Sequence, residues 1–240
     1  MNMARAGGPS RQNVIALPRL YCIADSSRFS GTAELVAFAE NLASAGCTLL
    51  QYRNKSGHAR LVLEQARELR RLFPPIQNPH LSQNRGEVGS PPTDRSPHGV
   101  RLIMNDRADL CLAADFDGVH VGQDDLSPQA VRAIIGPELW LGISTHNPEQ
   151  LREADLTSAD YLAVGPVFAT SSKANPDPVV GLEGVRRARA LTRQPLVAIG
   201  GITRANARSV IEAGADSVAV ISDLLRDPRK SAEEFLRILG

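Results

Sequence analysis

Short apolar or β-branched runs alternate along the chain with longer segments in which apolar residues recur every three or four positions. The short runs are typical of buried strands, and the longer segments, such as 32–46 and 203–215, are typical of amphipathic helices. Regular alternation of the two predicts a parallel sheet. Eight strands are predicted, at about Leu20–Asp25, Thr48–Arg53, Arg101–Asn105, Gly118–Gly122, Trp140–Ser144, Tyr161–Gly165, Leu196–Gly200 and Ser217–Ile221.

The number of these strand-helix units predicts the architecture. The chain has 240 residues, a usual length for one α/β barrel, and no gap between units is long enough for a second domain. We therefore expect an α/β protein with a single (β/α)8 TIM barrel over residues 17–240, preceded by a flexible N-terminal tail over residues 1–16. An open, doubly wound sheet is the alternative fold.

Two stretches interrupt the alternation, at opposite ends of the units. Residues 74–99 are rich in Pro, Gly, Ser and Asn and lie between a helix and the third strand, which predicts a flexible insertion at the bottom of the barrel. Residues 165–181 follow the sixth strand and therefore belong to the top face, where the active sites of such barrels lie. This second stretch is a candidate lid.

Charge and cysteine content exclude several classes of protein. With 27 Lys+Arg against 26 Asp+Glu, the net charge is +1, which argues against binding to nucleic acid or to an anionic membrane. No segment approaches the ~18 apolar residues of a membrane span, and the N-terminus lacks the apolar core of a secretion signal. The three separated cysteines are typical of a reducing compartment. We expect a soluble, cytoplasmic protein.

A file of polar residues ends the second strand. Gln51, Arg53 and Lys55 recur at a period of two, so their side chains point in one direction. Because both faces of a barrel strand are buried, this file either lines a ligand site or is neutralised by an internal cluster of ion pairs. The sequence leaves both interpretations open.

Carboxylates follow the third and fourth strands. Asp106 and Asp125 are hard oxygen ligands, too few to enclose a metal but suited to Mg2+ that keeps waters and also binds substrate phosphates. The alternative is that each caps a neighbouring helix or is an ordinary loop residue. His120, near the end of the fourth strand, is interpreted as a hydrogen-bonded barrel residue.

The remaining strand ends carry groups that suit phosphate. Ser144 ends the fifth strand, and hydroxyls and an ammonium group follow the sixth in the segment ATSSK, although each could be an ordinary loop residue. Gly201 follows the seventh strand, beside Ile221 and Ser222 after the eighth. The loops after strands seven and eight form the recurrent phosphate site of these barrels.

These segments together resemble one known family. The motifs QYRNK, IMND, DGVHVGQDD, GISTH, DYLAVGPVFATSSK and VAIGGI occur in the order and approximate spacing found in thiamine-phosphate synthases, from about residue 17 to the end of the chain. Three features depart from the family pattern: Asn54 stands where Glu is usual, Ser172 stands where Thr is usual, and the insertion at 74–99 is uncommon. None of the three removes a charged contact.

The resemblance implies a transferase of thiamine biosynthesis. Its substrates would be 4-amino-2-methyl-5-(diphosphooxymethyl)pyrimidine and a thiazole phosphate, either 4-methyl-5-(2-phosphoethyl)thiazole or its carboxylated form. Diphosphate would leave first, and the thiazole nitrogen would attack the resulting cation, giving thiamine phosphate and pyrophosphate, with CO2 also released when the thiazole is the carboxylated form. No strong protein nucleophile is required. The implied partners are these small molecules, with a homo-oligomer left open.

The resemblance also implies roles for individual residues. The pyrimidine diphosphate would contact Gln51, Arg53, Lys55, Asn105, Ser144 and Lys173, of which Arg53, Lys55, Ser144 and Lys173 would be catalytic. Mg2+ would be held by Asp106 and Asp125. The thiazole phosphate would contact Thr170, Ser171, Ser172, Gly201, Ile221 and Ser222.

Two related functions are the alternatives. A thiazole tautomerase-like barrel binds thiazole phosphate but needs no diphosphate site or metal, so it should lack the constellation of Asn105, Asp106 and Asp125. A catalytically silent barrel that only binds thiazole or thiamine phosphate would be expected to have lost Arg53, Lys55 or Lys173. This chain retains all of these residues.

Overall fold

A computed structural model describes residues 15–75, 99–170 and 177–240. Eight parallel strands, each hydrogen-bonded to the next and β8 to β1, form a closed barrel. The predicted (β/α)8 barrel is confirmed, and the open sheet is excluded. The strands are β1 Leu20–Asp25, β2 Leu49–Arg53, β3 Arg101–Asn105, β4 Gly118–Val121, β5 Trp140–Thr145, β6 Tyr161–Val164, β7 Leu196–Ile199 and β8 Ser217–Val220.

Eight α-helices surround the barrel in the described part of the chain, and they pack against one another and against the strands. They are α1 Thr32–Ser44, α2 Ala59–Leu72, α3 Ala108–Ala113, α4 Pro128–Ile135, α5 Pro148–Asp155, α6 Gly181–Leu191, α7 Ala207–Glu212 and α8 Pro228–Leu239. Within the ranges given above, no helix combines the length and apolar character needed to cross a lipid bilayer.

Several helix starts follow directly from the sequence. In α4 the Ser127 hydroxyl accepts a hydrogen bond from the backbone N–H of Ala130, and in α5 the Asn147 amide oxygen does the same for Gln150. Proline occupies the first helical turn in both, where no backbone donor is needed. These caps fix where the helices begin and so where the preceding top-face loops end.

Alternation along each strand separates two cores. In β2, Leu50 and Tyr52 pack outward among the helices, whereas Leu49 belongs to a second cluster inside the barrel. Ile15 and Leu17, from the segment before β1, pack against this inner cluster. Of the predicted tail and insertion, residues 1–14 and 76–98 lie outside the described residues.

Three ion pairs repeat at the amino ends of alternate strands, on the face opposite the strand carboxyl ends. In each, an arginine from an even-numbered helix meets the aspartate that precedes the next even-numbered strand. The same carboxylate oxygen accepts a backbone N–H from the odd-numbered strand between them, at 2.7–2.8 Å. The pairs, with their nitrogen–oxygen distances, are Arg70–Asp117 (2.8 Å), Arg132–Asp160 (2.7 Å) and Arg189–Asp216 (2.8 Å).

Candidate active site

A cavity of about 470 Å³ opens at the carboxyl ends of the strands. Its lining gathers every predicted site residue that the structure describes: Gln51, Arg53, Lys55, Asn105, Asp106, Asp125, Ser144, Thr170, Gly201, Ile221 and Ser222. The other three predicted residues, Ser171, Ser172 and Lys173, lie outside the described residues. One cavity thus brings together groups that are up to 171 positions apart, Gln51 to Ser222.

Arg53 is held at the cavity wall by a buried carboxylate. Its guanidinium forms an ion pair with Asp25, whose side chain is only 2 % exposed. Asp25 also accepts hydrogen bonds from the backbone N–H (3.1 Å) and the hydroxyl (2.7 Å) of Ser27. Asp25 was not evident as a site residue from the sequence, although it ends β1 and lies opposite Arg53 in the strand register.

Lys55 and Asp106 form a second ion pair at the rim, between the loop after β2 and the end of β3. Burial raises the pKa of the Asp106 carboxyl; Lys55 opposes the rise and the neighbouring Asp125 carboxylate adds to it. The ion pairing that the sequence left open is therefore present for Arg53 and Lys55, while a ligand site at this file stays a prediction. Arg53 and Lys55 line the cavity, and each is also paired with a carboxylate.

The capping alternative for the two aspartates is wrong. Helix α3 has Arg107 at its N-cap, and α4 has Ser127. Asp125 instead accepts a hydrogen bond from the backbone N–H of Gly122 at 2.7 Å, within the loop after β4. Asp106 adopts a left-handed backbone conformation (φ 62°), rare for residues other than glycine.

The donor set at this rim fits a magnesium ion that shares its ligands with a substrate. Nowhere in the described ranges do three His, Cys, Asp or Glu side chains gather into a complete metal site. Two carboxylates, Asp106 and Asp125, do line one cavity. Mg2+ is commonly bound by one or two carboxylates together with waters and substrate phosphates.

Asn105 carries a buried donor that has no partner. It ends β3, and its side-chain amide nitrogen makes no hydrogen bond within the described part of the chain. An unpaired buried donor costs about 1–3 kcal/mol. Because Asn105 lines the cavity, an acceptor atom on a bound ligand would satisfy it.

A chain of hydrogen bonds crosses the floor of the cavity. Gln51 Nε2 donates to the Tyr21 hydroxyl (2.9 Å), which lies 2.9 Å from the Tyr161 hydroxyl. The Tyr161 hydroxyl lies 3.1 Å from His120 Nδ1, and His120 Nε2 lies 2.8 Å from the Ser144 hydroxyl. Burial lowers the pKa of His120 to about 4, with Asp125 opposing, so the imidazole is neutral near pH 7.

His120 is therefore a hydrogen-bonded barrel residue, as the sequence suggested. Tyr21 and Tyr161, at the starts of β1 and β6, were not evident as site residues from the sequence. The only indication in the sequence was a tyrosine hydroxyl in an otherwise apolar strand. Tyrosine is also common in strands that have no role in a site.

The loops after β7 and β8 form the opposite end of the cavity. Gly201 has a φ of 63°, and a Cβ there would lie 2.5 Å from the carbonyl oxygen of Ala169 in the loop after β6. Asp223 accepts the backbone N–H of Arg204 at 2.8 Å and also binds its guanidinium, so the two loops are tied together. Glu234 neutralises the same guanidinium further.

His146 also lines the cavity and was not predicted from the sequence as a site residue. Its Nδ1 lies 2.6 Å from the carbonyl oxygen of Gly165, which accepts a hydrogen bond from it. Its Nε2 lies 3.5 Å from a carboxylate oxygen of Asp177. These contacts join the end of β5 to both flanks of the predicted lid.

Comparison with known proteins decides the family. The family model described as "Thiamine monophosphate synthase" matches residues 95–224. The thiamine-phosphate synthase of Koribacter versatilis is 57 % identical over 228 residues, 94 % of this chain and 97 % of that protein. The chain belongs to the thiamine-phosphate synthase family. The resemblance inferred from the sequence motifs is confirmed.

Other relatives agree over the same span. The thiamine-phosphate synthase of Xanthobacter autotrophicus is 40 % identical over 89 % of this chain and 91 % of that protein. Among solved structures, the thiamine phosphate pyrophosphorylase from Pyrococcus furiosus matches with a TM-score of 0.73 and 32 % identity, covering 92 % of this chain and 95 % of that one. The thiamine-phosphate synthase family consists of transferases, so this chain is a transferase.

Proposed function

We propose that this protein joins the pyrimidine diphosphate to a thiazole phosphate, giving thiamine phosphate and pyrophosphate. One observation carries the proposal. A single top-face cavity combines the cations Arg53 and Lys55, the neighbouring carboxylates Asp106 and Asp125 and a close-packed glycine loop. A barrel that bound only a thiazole phosphate would use the glycine loop but would have no need of the other four groups.

The pyrimidine diphosphate occupies the side of the cavity formed by β2, β3 and β5. Gln51, Asn105 and Ser144 present uncharged polar groups that suit the aminopyrimidine ring, and the unpaired Asn105 amide supports this assignment. Arg53 and Lys55 meet the diphosphate, with Lys173 assigned to it by family resemblance. Cations placed where negative charge develops lower the barrier to departure of a leaving group.

Asp106 and Asp125 would hold Mg2+ at the rim, next to Lys55. The ion, when bound, supplies positive charge that neutralises the diphosphate as it departs. The protein's own contribution is geometric. The carboxylates follow adjacent strands, β3 and β4, and the hydrogen bond from Gly122 N–H fixes the position of Asp125.

The thiazole phosphate occupies the side formed by β7 and β8. Gly201, Ile221 and Ser222 contact it, together with Thr170, Ser171 and Ser172 from the loop after β6. The charge of Arg204 is already matched by Asp223 and Glu234. Backbone N–H groups are therefore the expected ligands of this phosphate.

The reaction needs no covalent intermediate with the protein. Ser144 lies beside His120, but the second nitrogen of His120 meets the Tyr161 hydroxyl and not a carboxylate. The third member of a Ser-His-Asp triad is therefore lacking among the described side chains. A dissociative route, in which diphosphate leaves before the thiazole nitrogen attacks, fits a site built around a departing anion.

The test is to incubate purified protein with Mg2+ and both substrates and to measure thiamine phosphate and pyrophosphate in equal amounts. Omitting either substrate should abolish both products. Turnover of a thiazole phosphate tautomer alone would instead identify a tautomerase. Binding of thiazole phosphate without any turnover would identify a silent barrel.

A further inference from the structure

The hydrogen-bond chain from Gln51 to Ser144 requires a glycine at position 142. Gly142 of β5 lies opposite His120 of β4 and opposite Tyr161 of β6 in the strand register. A Cβ at Gly142 would lie 2.1 Å from the Tyr161 ring and 2.4 Å from His120 Nδ1. The absence of a side chain at 142 thus leaves the space in which the tyrosine and the imidazole meet.

The donor and the acceptor in each bond of this hydrogen-bond chain can be assigned in turn, starting from Gln51. Gln51 Nε2 can only donate, so the Tyr21 oxygen accepts from it. The Tyr21 proton then has one acceptor within reach in the described structure, the Tyr161 oxygen. The Tyr161 proton is left to point at His120 Nδ1, which must therefore be unprotonated.

The tautomer of His120 sets the direction of its hydrogen bond with Ser144. With Nδ1 as an acceptor, the ring proton of His120 lies on Nε2 and points at the Ser144 oxygen. The Ser144 hydroxyl then accepts from His120, and its own proton is not donated to the imidazole. The reverse direction would make His120 donate from Nδ1 and would leave the Tyr21 proton without an acceptor among the described residues.

We propose that Tyr21 and Tyr161 are positioning residues that give this hydrogen-bond chain one direction, so that Ser144 presents its hydroxyl proton to the cavity. His120 is then a donor to Ser144 and not its base. The role of Ser144 towards the pyrimidine diphosphate rests on the proposed function. In that setting the fixed donor meets an acceptor atom of the pyrimidine or its leaving group.

The direction of the chain is measurable without turnover. In protein labelled with 15N-histidine, the His120 resonances, assigned by their loss in His120→Gln, should show the tautomer protonated at Nε2. In Tyr161→Phe, His120 Nδ1 loses its donor and the single tautomer should be lost. A wild-type His120 protonated at Nδ1 would overturn the proposal.

Kinetics test whether the tyrosines act through Ser144. Tyr161→Phe and Tyr21→Phe should each lower kcat on the order of tenfold, the scale of one hydrogen bond, with little change in KM. Added to Ser144→Ala, Tyr161→Phe should have no further effect on kcat, because the donor that it positions is gone. Independent, multiplicative losses would contradict the proposal.

Tyr52 supplies the matched control. Its buried hydroxyl donates to Gln65 Oε1 at 2.6 Å and accepts from Asn54 Nδ2 at 3.0 Å, on the helix-facing side of β2. Asn54 Nδ2 also donates to Gln65 Oε1 at 3.0 Å, so it keeps a partner when the tyrosine hydroxyl is removed. Tyr52→Phe removes a buried hydroxyl of the same kind, so it should lower stability and leave kcat unchanged. An equal loss of kcat in this variant would assign the effect of Tyr161→Phe to general destabilisation. Because the NMR experiment needs no substrate, its result does not depend on whether thiamine phosphate is made.

Discussion

Lys55 donates a hydrogen bond to the Asp106 carboxylate across the cavity rim, linking the loop after β2 to the end of β3. Arg53 is paired in the same way with Asp25, a buried carboxylate at the end of β1. Both cations assigned to the diphosphate are thus held by carboxylates before any substrate is present. In the proposed complex, Asp106 would hold Mg2+, which would leave the ammonium group of Lys55 available to the diphosphate.

The first prediction is that turnover requires Mg2+ through the two rim carboxylates. EDTA should abolish product formation, and Asp106→Asn or Asp125→Asn should weaken binding of magnesium pyrophosphate in calorimetry, because a hard oxygen ligand loses its charge. Asp109→Asn is the control. It removes a nearby carboxylate that pairs with Arg107 on the surface. Full activity in metal-free buffer would contradict the prediction.

The second prediction concerns Arg53. Arg53→Ala should lower kcat by roughly 10²–10³, since it removes one preorganised donor from the developing charge on diphosphate. Asp25→Asn should act in the same direction but less strongly, because Arg53 remains and only loses its fixed position. Arg71→Ala, which breaks a surface pair with Glu68, is the control. A rise in KM with unchanged kcat would mean that Arg53 contributes uniform binding.

The fold could be predicted because its information is local. Each strand is a short apolar run, and a period of two decides which side chains face inward; the predicted bounds differ from the observed ones by at most one residue. The carboxyl ends of parallel strands in a barrel converge on one face. The spacing of Gln51 and Arg53 in β2 and of Lys55 just after it was therefore enough to place the three in a common cavity.

The partners of those residues could not be predicted in the same way. The contact between Asp25 and Arg53 depends on the register between two strands, and Tyr21 meets Tyr161 across 140 positions of sequence. The contribution of Gly142 to the site is the space that it leaves, which no pattern of polar residues reveals. Helix capping by Asp106 was a reasonable local alternative, but α3 begins at Ala108 and its N-cap is Arg107.

The third prediction is that the insertion at 74–99 is dispensable for catalysis. Helix α2 ends at Leu72 and β3 begins at Arg101, both on the face opposite the cavity. Replacing residues 77–96 by a short Gly/Ser linker should leave kcat/KM and the unfolding midpoint nearly unchanged, because closure entropy grows slowly with loop length. A large loss of kcat/KM in a folded deletion variant would show that the insertion reaches an active site.

The fourth prediction is that the repeated ion pairs at the strand amino ends contribute stability and not catalysis. Asp160→Ala leaves the Arg132 guanidinium and the Leu141 N–H without their shared acceptor. We expect a loss of about 2 kcal/mol in the free energy of unfolding, with KM values unchanged. Glu149→Gln, in an exposed pair with Arg152, should cost less than about 0.5 kcal/mol. Equal effects of the two variants in denaturant titrations would contradict the assignment.

The last prediction tests the placement of the thiazole phosphate. Gly201→Ala adds a Cβ that meets backbone and side-chain atoms of Phe168 and Ala169 at 2.5–2.9 Å, so the loop after β7 must move away from the loop after β6. We expect KM for the thiazole phosphate to rise on the order of tenfold, about 1.4 kcal/mol, with little change for the pyrimidine diphosphate.

Gly136→Ala is the control for this last variant. Gly136 also has a positive φ, 73°, but a Cβ there has no atom within 4 Å, and it ends α4 far from the strand carboxyl ends. Both alanines are strained by a positive φ, at a cost of roughly 1–3 kcal/mol each, so both variants should be less stable. Only Gly201→Ala should bind thiazole phosphate more weakly. If the two variants bound it equally well in calorimetric titration, the phosphate would have to lie elsewhere in the cavity.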